Sequence, residues 1–142
     1  MKKLGLILLV LLLSGCGPFM AGTWEDDPKN WKRAFGEAPP ADLIVHHSYY
    51  CRSPQPILLE FTYFFEVEDS KPAREYLGFH SVLKPTSRKI AEVDFISLPD
   101  DRAPWFPAGA SGDYEVWLPG DKSYYVVIVD RKRGRLFLTD RM

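Results

Sequence analysis

Few side chains in this sequence can do chemistry: three histidines, His46, His47 and His80, the cysteines Cys16 and Cys51, and a scatter of carboxylates. His47 and Cys51 lie four residues apart in a stretch from Leu43 to Arg52 that reads as a strand, so both belong to one face. Imidazole and thiolate together suit copper or zinc. A metal site needs three or four ligands, however, and His46 belongs to the opposite face of the strand. A hydrogen-bonded core histidine beside a buried thiol is the stronger account, and no metal or cofactor is expected.

Glu60, Glu66 and Glu68 share one face of a second stretch, Ile57 to Glu68. Paired carboxylates can perform acid/base catalysis, but on an alternating strand they are ordinarily just solvated. Trp105 and Phe106 sit inside Leu98 to Gly112, a long run of Pro, Gly, Asp and Ser. Long loops in compact domains are often functional. Two aromatics there either plug into the domain as an anchor or stand out as a contact surface, and the scarcity of exposed apolar patches favours the anchor. If any segment receives a partner, it is this one. The basic turn Arg131-Lys132-Arg133-Gly134 has the composition of a solvated turn.

Catalytic motifs are missing. There is no glycine-rich phosphate loop ahead of a helix, no Cys-x-x-Cys, no His-Glu-x-x-His and no Gly-x-Ser-x-Gly elbow. A dispersed triad needs only to meet in space. A small envelope-acting hydrolase would therefore reveal itself as a deep pocket holding His47 or His80 beside a carboxylate. A non-enzymatic binding or structural module is the preferred expectation.

The elements that must position these residues are legible in part. Asp27-Pro28 suits a helix start, Lys32 and Arg33 suit a last turn, and Gly36 suits a left-handed stop, with Trp31, Ala34 and Phe35 on one face. In the strand Leu43 to Arg52, Leu43, Val45, His47, Tyr49 and Cys51 are expected on the more apolar face. Ile57 to Glu68 is the cleanest strand: Phe61, Tyr63, Phe65 and Val67 should face the core, with the other side largely wet. Lys71-Pro72 opens a second short helix that turns Ala73, Tyr76 and Leu77 inward and ends at Gly78. Ile90 to Leu98 reads as a strand. A meander closes the chain, with strands at Asp113 to Leu118, Ser123 to Asp130 and Arg135 to Thr139; apolar residues on both faces of the second make it central.

Lys2 and Lys3 precede an apolar run from Leu4 to Leu13, and small residues follow. A charged start, a short greasy middle and a small-residue exit is the layout of an export signal. A spanning helix needs about 20 apolar residues, and Gly15, Gly17 and Pro18 end this run sooner. The tetrapeptide Leu13-Ser14-Gly15-Cys16 resembles the lipobox of bacterial lipoprotein precursors, a resemblance confined to about the first 16 positions. It implies that Cys16 carries a diacylglyceryl group, that the chain is cut just before it, and that its new amino group is acylated. Gly17 stands where an Asp would retain such a protein in the inner membrane, so outer-membrane delivery, facing the periplasm, is implied. With Cys16 lipidated, Cys51 has no partner for a disulfide and the fold must stand on its apolar core.

Removal of residues 1–15 leaves 127 residues and, with Lys2 and Lys3 gone, a net charge of −3, which argues against nucleic acid as a partner. That length suits one domain. The expected organisation is a signal peptide over 1–15, a lipidated tether over 16–26 and a single domain over 27–142. Its partners are the membrane, through Cys16, and an envelope protein or glycan. The expected fold is α+β, an antiparallel sheet of about five or six strands with one or two short helices; a small all-β barrel or sandwich is the rival.

Overall fold

The computed structural model describes residues 21–53, 61–87, 102–107, 114–120 and 125–141. The export signal, Cys16, the expected strand Ile90 to Leu98 and both flanks of the Trp105-Phe106 segment lie outside the described residues. Among the described residues, the chain forms β1 (Gly22–Glu25), α1 (Asn30–Phe35), β2 (Val45–Arg52), β3 (Phe61–Glu68), α2 (Lys71–Tyr76), β4 (Leu83–Thr86), β5 (Tyr114–Pro119), β6 (Val126–Asp130) and β7 (Arg135–Arg141).

The strands make one sheet in the order β1-β2-β3-β7-β6-β5-β4, antiparallel at every pairing and open at both edges. The fold is thus α+β, an antiparallel sheet with two short helices, and the sheet does not close into a barrel. After β3 the chain crosses through α2 to the far edge at β4. It then returns strand by strand until β7 pairs with β3.

Two strands, β1 and β4, lie where the sequence reading placed none, and both are edges. β1 and β4 are each four residues long, and β4 carries Pro85, which lacks a donor for the ladder and suits an edge. Because β1 occupies residues 22–25, the folded domain reaches back into the segment expected to be tether.

Both helices pack on one face of the sheet. α1 lays Trp31 against Phe65, with ring centroids 4.9 Å apart, and Phe35 against Tyr63 at 5.1 Å. Its stop is as the sequence predicts: Gly36 takes φ = 77° and donates its N–H to the Lys32 carbonyl at 2.9 Å. Its start is not. Asp27 accepts from the Lys29 N–H at 2.8 Å, capping the turn before the helix, and α1 begins at Asn30 without a side-chain cap. α2 is capped by Ser70, whose hydroxyl accepts from the Ala73 N–H. Ala73 and Leu77 enter the core; Tyr76, expected inward, is 37% exposed and donates its hydroxyl to Glu37 at 2.9 Å.

The second face of the sheet is the main departure. Phe64 and Glu66 of β3, expected to be wet, are buried. Phe64 belongs to a second core with Val116, Val126, Ile128 and Phe137, closed by Ala103 and Phe106 from the 102–107 segment. Glu66 forms an ion pair with Arg135 at 3.2 Å. β6 lies between β7 and β5 and is buried along its whole length, as a central strand should be.

The basic turn after β6 is held by the fold. Arg133 bonds Asp130 at 2.6 Å, and Arg131 pairs with Glu115. Burial raises the Asp130 carboxyl, but the Arg133 guanidinium and backbone N–H more than offset this and hold it below the usual carboxylate range. A depressed carboxyl contributes stability above its unfolded pKa, about 3.9, and that contribution is lost as pH falls through the folded value. Asp130→Asn should therefore flatten the acid limb of a urea-unfolding stability curve below about pH 4. An unchanged acid limb would remove this pair from the account.

Candidate functional site

A cleft of about 340 Å³ opens where the chain leaves β1, turns into α1 and enters β2. Trp31, Leu43, Val45 and Phe65 give it an apolar floor, while Asp26, Asp27, His46 and His47 give it a polar rim.

Asp26 organises the rim. It adopts φ = 48°, a left-handed value that Asp tolerates better than most residues. Two bonds to β2 hold it there: its N–H donates to the Ser48 carbonyl at 2.7 Å, and its carboxylate accepts from the Ser48 N–H at 2.8 Å. The same carboxylate lies 3.1 Å from His47 Nδ1, and the His47 ring stacks on Trp105 with centroids 5.4 Å apart. A carboxylate on Nδ1 favours the tautomer that leaves Nε2 as an acceptor, the orientation used in general-base pairs. Both partners are about half exposed, at 46% and 50%.

Beneath the rim lies a buried polar network. Asn30 is fully buried; its Nδ2 donates to the Trp24 carbonyl at 2.9 Å and to Ser48 Oγ at 3.1 Å, and its Oδ1 accepts from Arg33 at 2.7 Å. Arg33 also reaches Asp27 at 2.9 Å and lies 4.7 Å over the Trp24 ring. The Lys29 N–H and the Arg33 guanidinium hold the Asp27 carboxyl below its ordinary range. Asn30→Ala would remove the side-chain donor to the Trp24 carbonyl and to Ser48 Oγ, and one of the two acceptors of Arg33. A loss of about 1–3 kcal/mol is expected from denaturant unfolding, and a change within 0.5 kcal/mol, the ordinary range for surface substitutions, would contradict the network's role.

No protein-family model, curated protein or solved structure matches this chain.

A β-bulge between Val45 and His47 changes which residues share a face. Leu43 and Val45 pack into the helix-side core with Tyr50, whereas Tyr49 packs into the second core and His47 stacks on Trp105. The single apolar face expected over Leu43 to Cys51 is therefore split by one inserted residue. His47 and Cys51 remain on the same side, but four strand steps place them about 13 Å apart, too far to ligate one ion. Among the described residues no group of three or more His, Cys, Asp or Glu is placed to hold a metal. Cys51 is half-buried rather than buried, with the Thr23 hydroxyl 3.7 Å from its sulfur. His47 is not a core histidine; it stands on the rim of the cleft.

Phe106 is an anchor. It is 2% exposed and meets Phe64 edge-on at 4.9 Å, so it is not on a surface where a partner would touch it. Trp105, half-buried, covers His47. His80 lies in a second hollow of about 450 Å³ beside Asp69 and Glu75. Asp69, however, is held bidentately by Arg74 at 2.6 and 2.7 Å, and the His80 ring stands edge-on to Trp117. Of the two histidines considered for chemistry, only His47 is bonded to a carboxylate in a cleft. Asp26, Asn30 and Ser48 carry no regular spacing; the only hint was the acidic pair Asp26-Asp27 ahead of a proline.

Proposed function

We propose that this chain is a lipid-anchored bacterial envelope protein, held through Cys16 in the outer membrane and facing the periplasm, whose domain binds an envelope protein or glycan without catalysing a reaction. The observation that carries the anchoring is the tetrapeptide Leu13-Ser14-Gly15-Cys16 at the end of a short apolar run. Among the described residues no helix is long and apolar enough to cross a membrane. The cleft between α1 and β2 is the binding candidate, because it joins an apolar floor to a few oriented polar groups, the usual make-up of a ligand site.

A small envelope-acting enzyme is the second reading, favoured by the Asp26–His47 pair on the rim. Against it stands the lack of a nucleophile beside His47 among the described residues. The Ser48 hydroxyl accepts from Asn30, and successive strand residues point to opposite faces. A photo-cross-linker placed at His46 should capture a reproducible periplasmic partner in cells, and one at Lys132 should not. Equal capture at both positions, or none at either, would count against the cleft. Hydrolysis of an envelope substrate that disappears in both His47→Gln and Asp26→Asn would favour the enzyme instead.

A further inference from the structure

The side chains of the cleft differ in what they can offer a ligand. Among the described residues that line it there is neither Lys nor Arg, and Pro28 and Pro39 have no backbone N–H to give. Both rim imidazoles are drawn to carboxylates: His47 Nδ1 to Asp26 at 3.1 Å, and His46 Nε2 to Glu68 at 3.5 Å. A ring nitrogen so engaged favours the tautomer whose second nitrogen accepts. The other side-chain donors of the lining, the Trp31 indole and the Ser48 hydroxyl, belong to buried residues. The rim therefore turns acceptors toward solvent.

Its two carboxylates are not equivalent. Asp27 is answered by Arg33 at 2.9 Å, and Lys29 acts on it as well. Arg33 is further engaged by Asn30 and by the Trp24 ring. Asp26 forms an ion pair with no Lys or Arg among the described residues. Its carboxylate meets only His47, 3.3 and 3.1 Å from its two oxygens, and the Ser48 N–H at 2.8 Å, and it stays half exposed. A carboxylate accepts at about four positions, so Asp26 has capacity left. A ligand carboxylate or phosphate there would set acceptor against acceptor, and an uncharged glycan would leave the charge unanswered. A cation on an apolar stem suits both the rim and the floor of Leu43 and Val45. Because His47 and Ser48 already reach both Asp26 oxygens, no free edge remains for the paired contacts of a guanidinium; a compact ammonium needs a single lone pair.

We infer that the cleft receives a lysine side chain of an envelope protein, with its alkyl stem over the apolar floor and its ammonium on Asp26. This deepens the binding role proposed above and rests on it.

The test follows the amide resonances of Asp26, His47 and Ser48 in isotope-labelled full chain, held in a detergent free of amines. The probes are a capped alanine peptide with one central lysine, the same peptide with Nε-acetyl-lysine, arginine or glutamate in that place, and the disaccharide of N-acetylglucosamine. The lysine peptide should shift the three amides and bind about tenfold or more tightly than the acetylated one, the loss expected for a hydrogen bond to a charged group. Asp26→Asn should erase that difference, and Glu75→Gln, at a solvated carboxylate elsewhere, should keep it. Equal binding of the lysine and acetyl-lysine peptides to the parent overturns the inference, whether or not the variant folds. Preference at these amides for the arginine or glutamate peptide, or for the disaccharide, overturns the lysine and leaves the cleft standing as a binding site. If no probe moves them the inference falls, and capture at His46 alone decides whether the cleft binds.

Discussion

Phe106→Ala should destabilise the domain by about 3–5 kcal/mol, the cost of emptying a buried aromatic site. For a domain of this size that corresponds to a fall in Tm on the order of 10–20 °C. The side chain is 2% exposed and packs edge-on against Phe64 at 4.9 Å and against Phe137 at 5.9 Å, so removing it opens a cavity against β3 and β7. Total stabilities run to about 5–15 kcal/mol, and a large share of the margin would go. Trp105→Ala should cost less, because its half-buried ring chiefly covers His47. A thermal melt of both variants separates an anchoring from a recognition role for this segment. If Phe106→Ala melted like the parent while capture of a partner was lost, the aromatic pair would have to be returned to the surface.

The same segment shows where sequence patterning runs out. Strict alternation over Phe61 to Val67 identified β3 and the face that meets the helices, because a period of two is a direct consequence of strand geometry. That alternation says nothing about what lies on the other face. Phe64 looks like a member of a wet surface until Ala103 and Phe106 are brought against it from some forty residues away in sequence, and Glu66 until Arg135 of β7 pairs with it. Such a covering carries no periodic signal. Short edges fail for a different reason: β1 and β4 offer four residues each, too few for alternation to stand out, and Pro85 argues locally against any strand.

The cleft was legible only in pieces. His47 was marked by its side chain, but its setting depends on a one-residue bulge that moves Val45 and His47 to opposite faces. One inserted residue reverses every facing that precedes it, and nothing in the residue types of Val45-His46-His47 announces the insertion. Asp26 presents a similar case. Its position just past a four-residue edge strand lets its left-handed turn hand a carboxylate to His47 and to the Ser48 N–H at once. The Asn30 network then ties that turn to α1, so the same contacts that close the fold also set the geometry of the rim.

The helices illustrate the opposite situation. Gly36 and Lys71-Pro72 act through local backbone chemistry, a left-handed stop and a proline in the first helical turn, and each signal is complete within a few residues. The central place of β6 was readable for a similar reason, since apolar residues on both faces leave a strand little choice but the middle of a sheet.

Cys16 carries the central claim. Each buried methylene contributes about 0.8 kcal/mol and one acyl chain alone holds a protein only marginally, so the several chains implied by the lipobox resemblance would make the attachment stable. Cys16→Ser should abolish that attachment while leaving the domain folded, because the substitution lies outside the sheet that begins at Gly22. The direct measurement is metabolic labelling with radioactive palmitate, followed by fractionation of membrane and soluble protein. The account predicts label on the parent, none on Cys16→Ser, and release of the variant into the soluble fraction. Label that persists on Cys16→Ser, or a parent that takes up none, would contradict it.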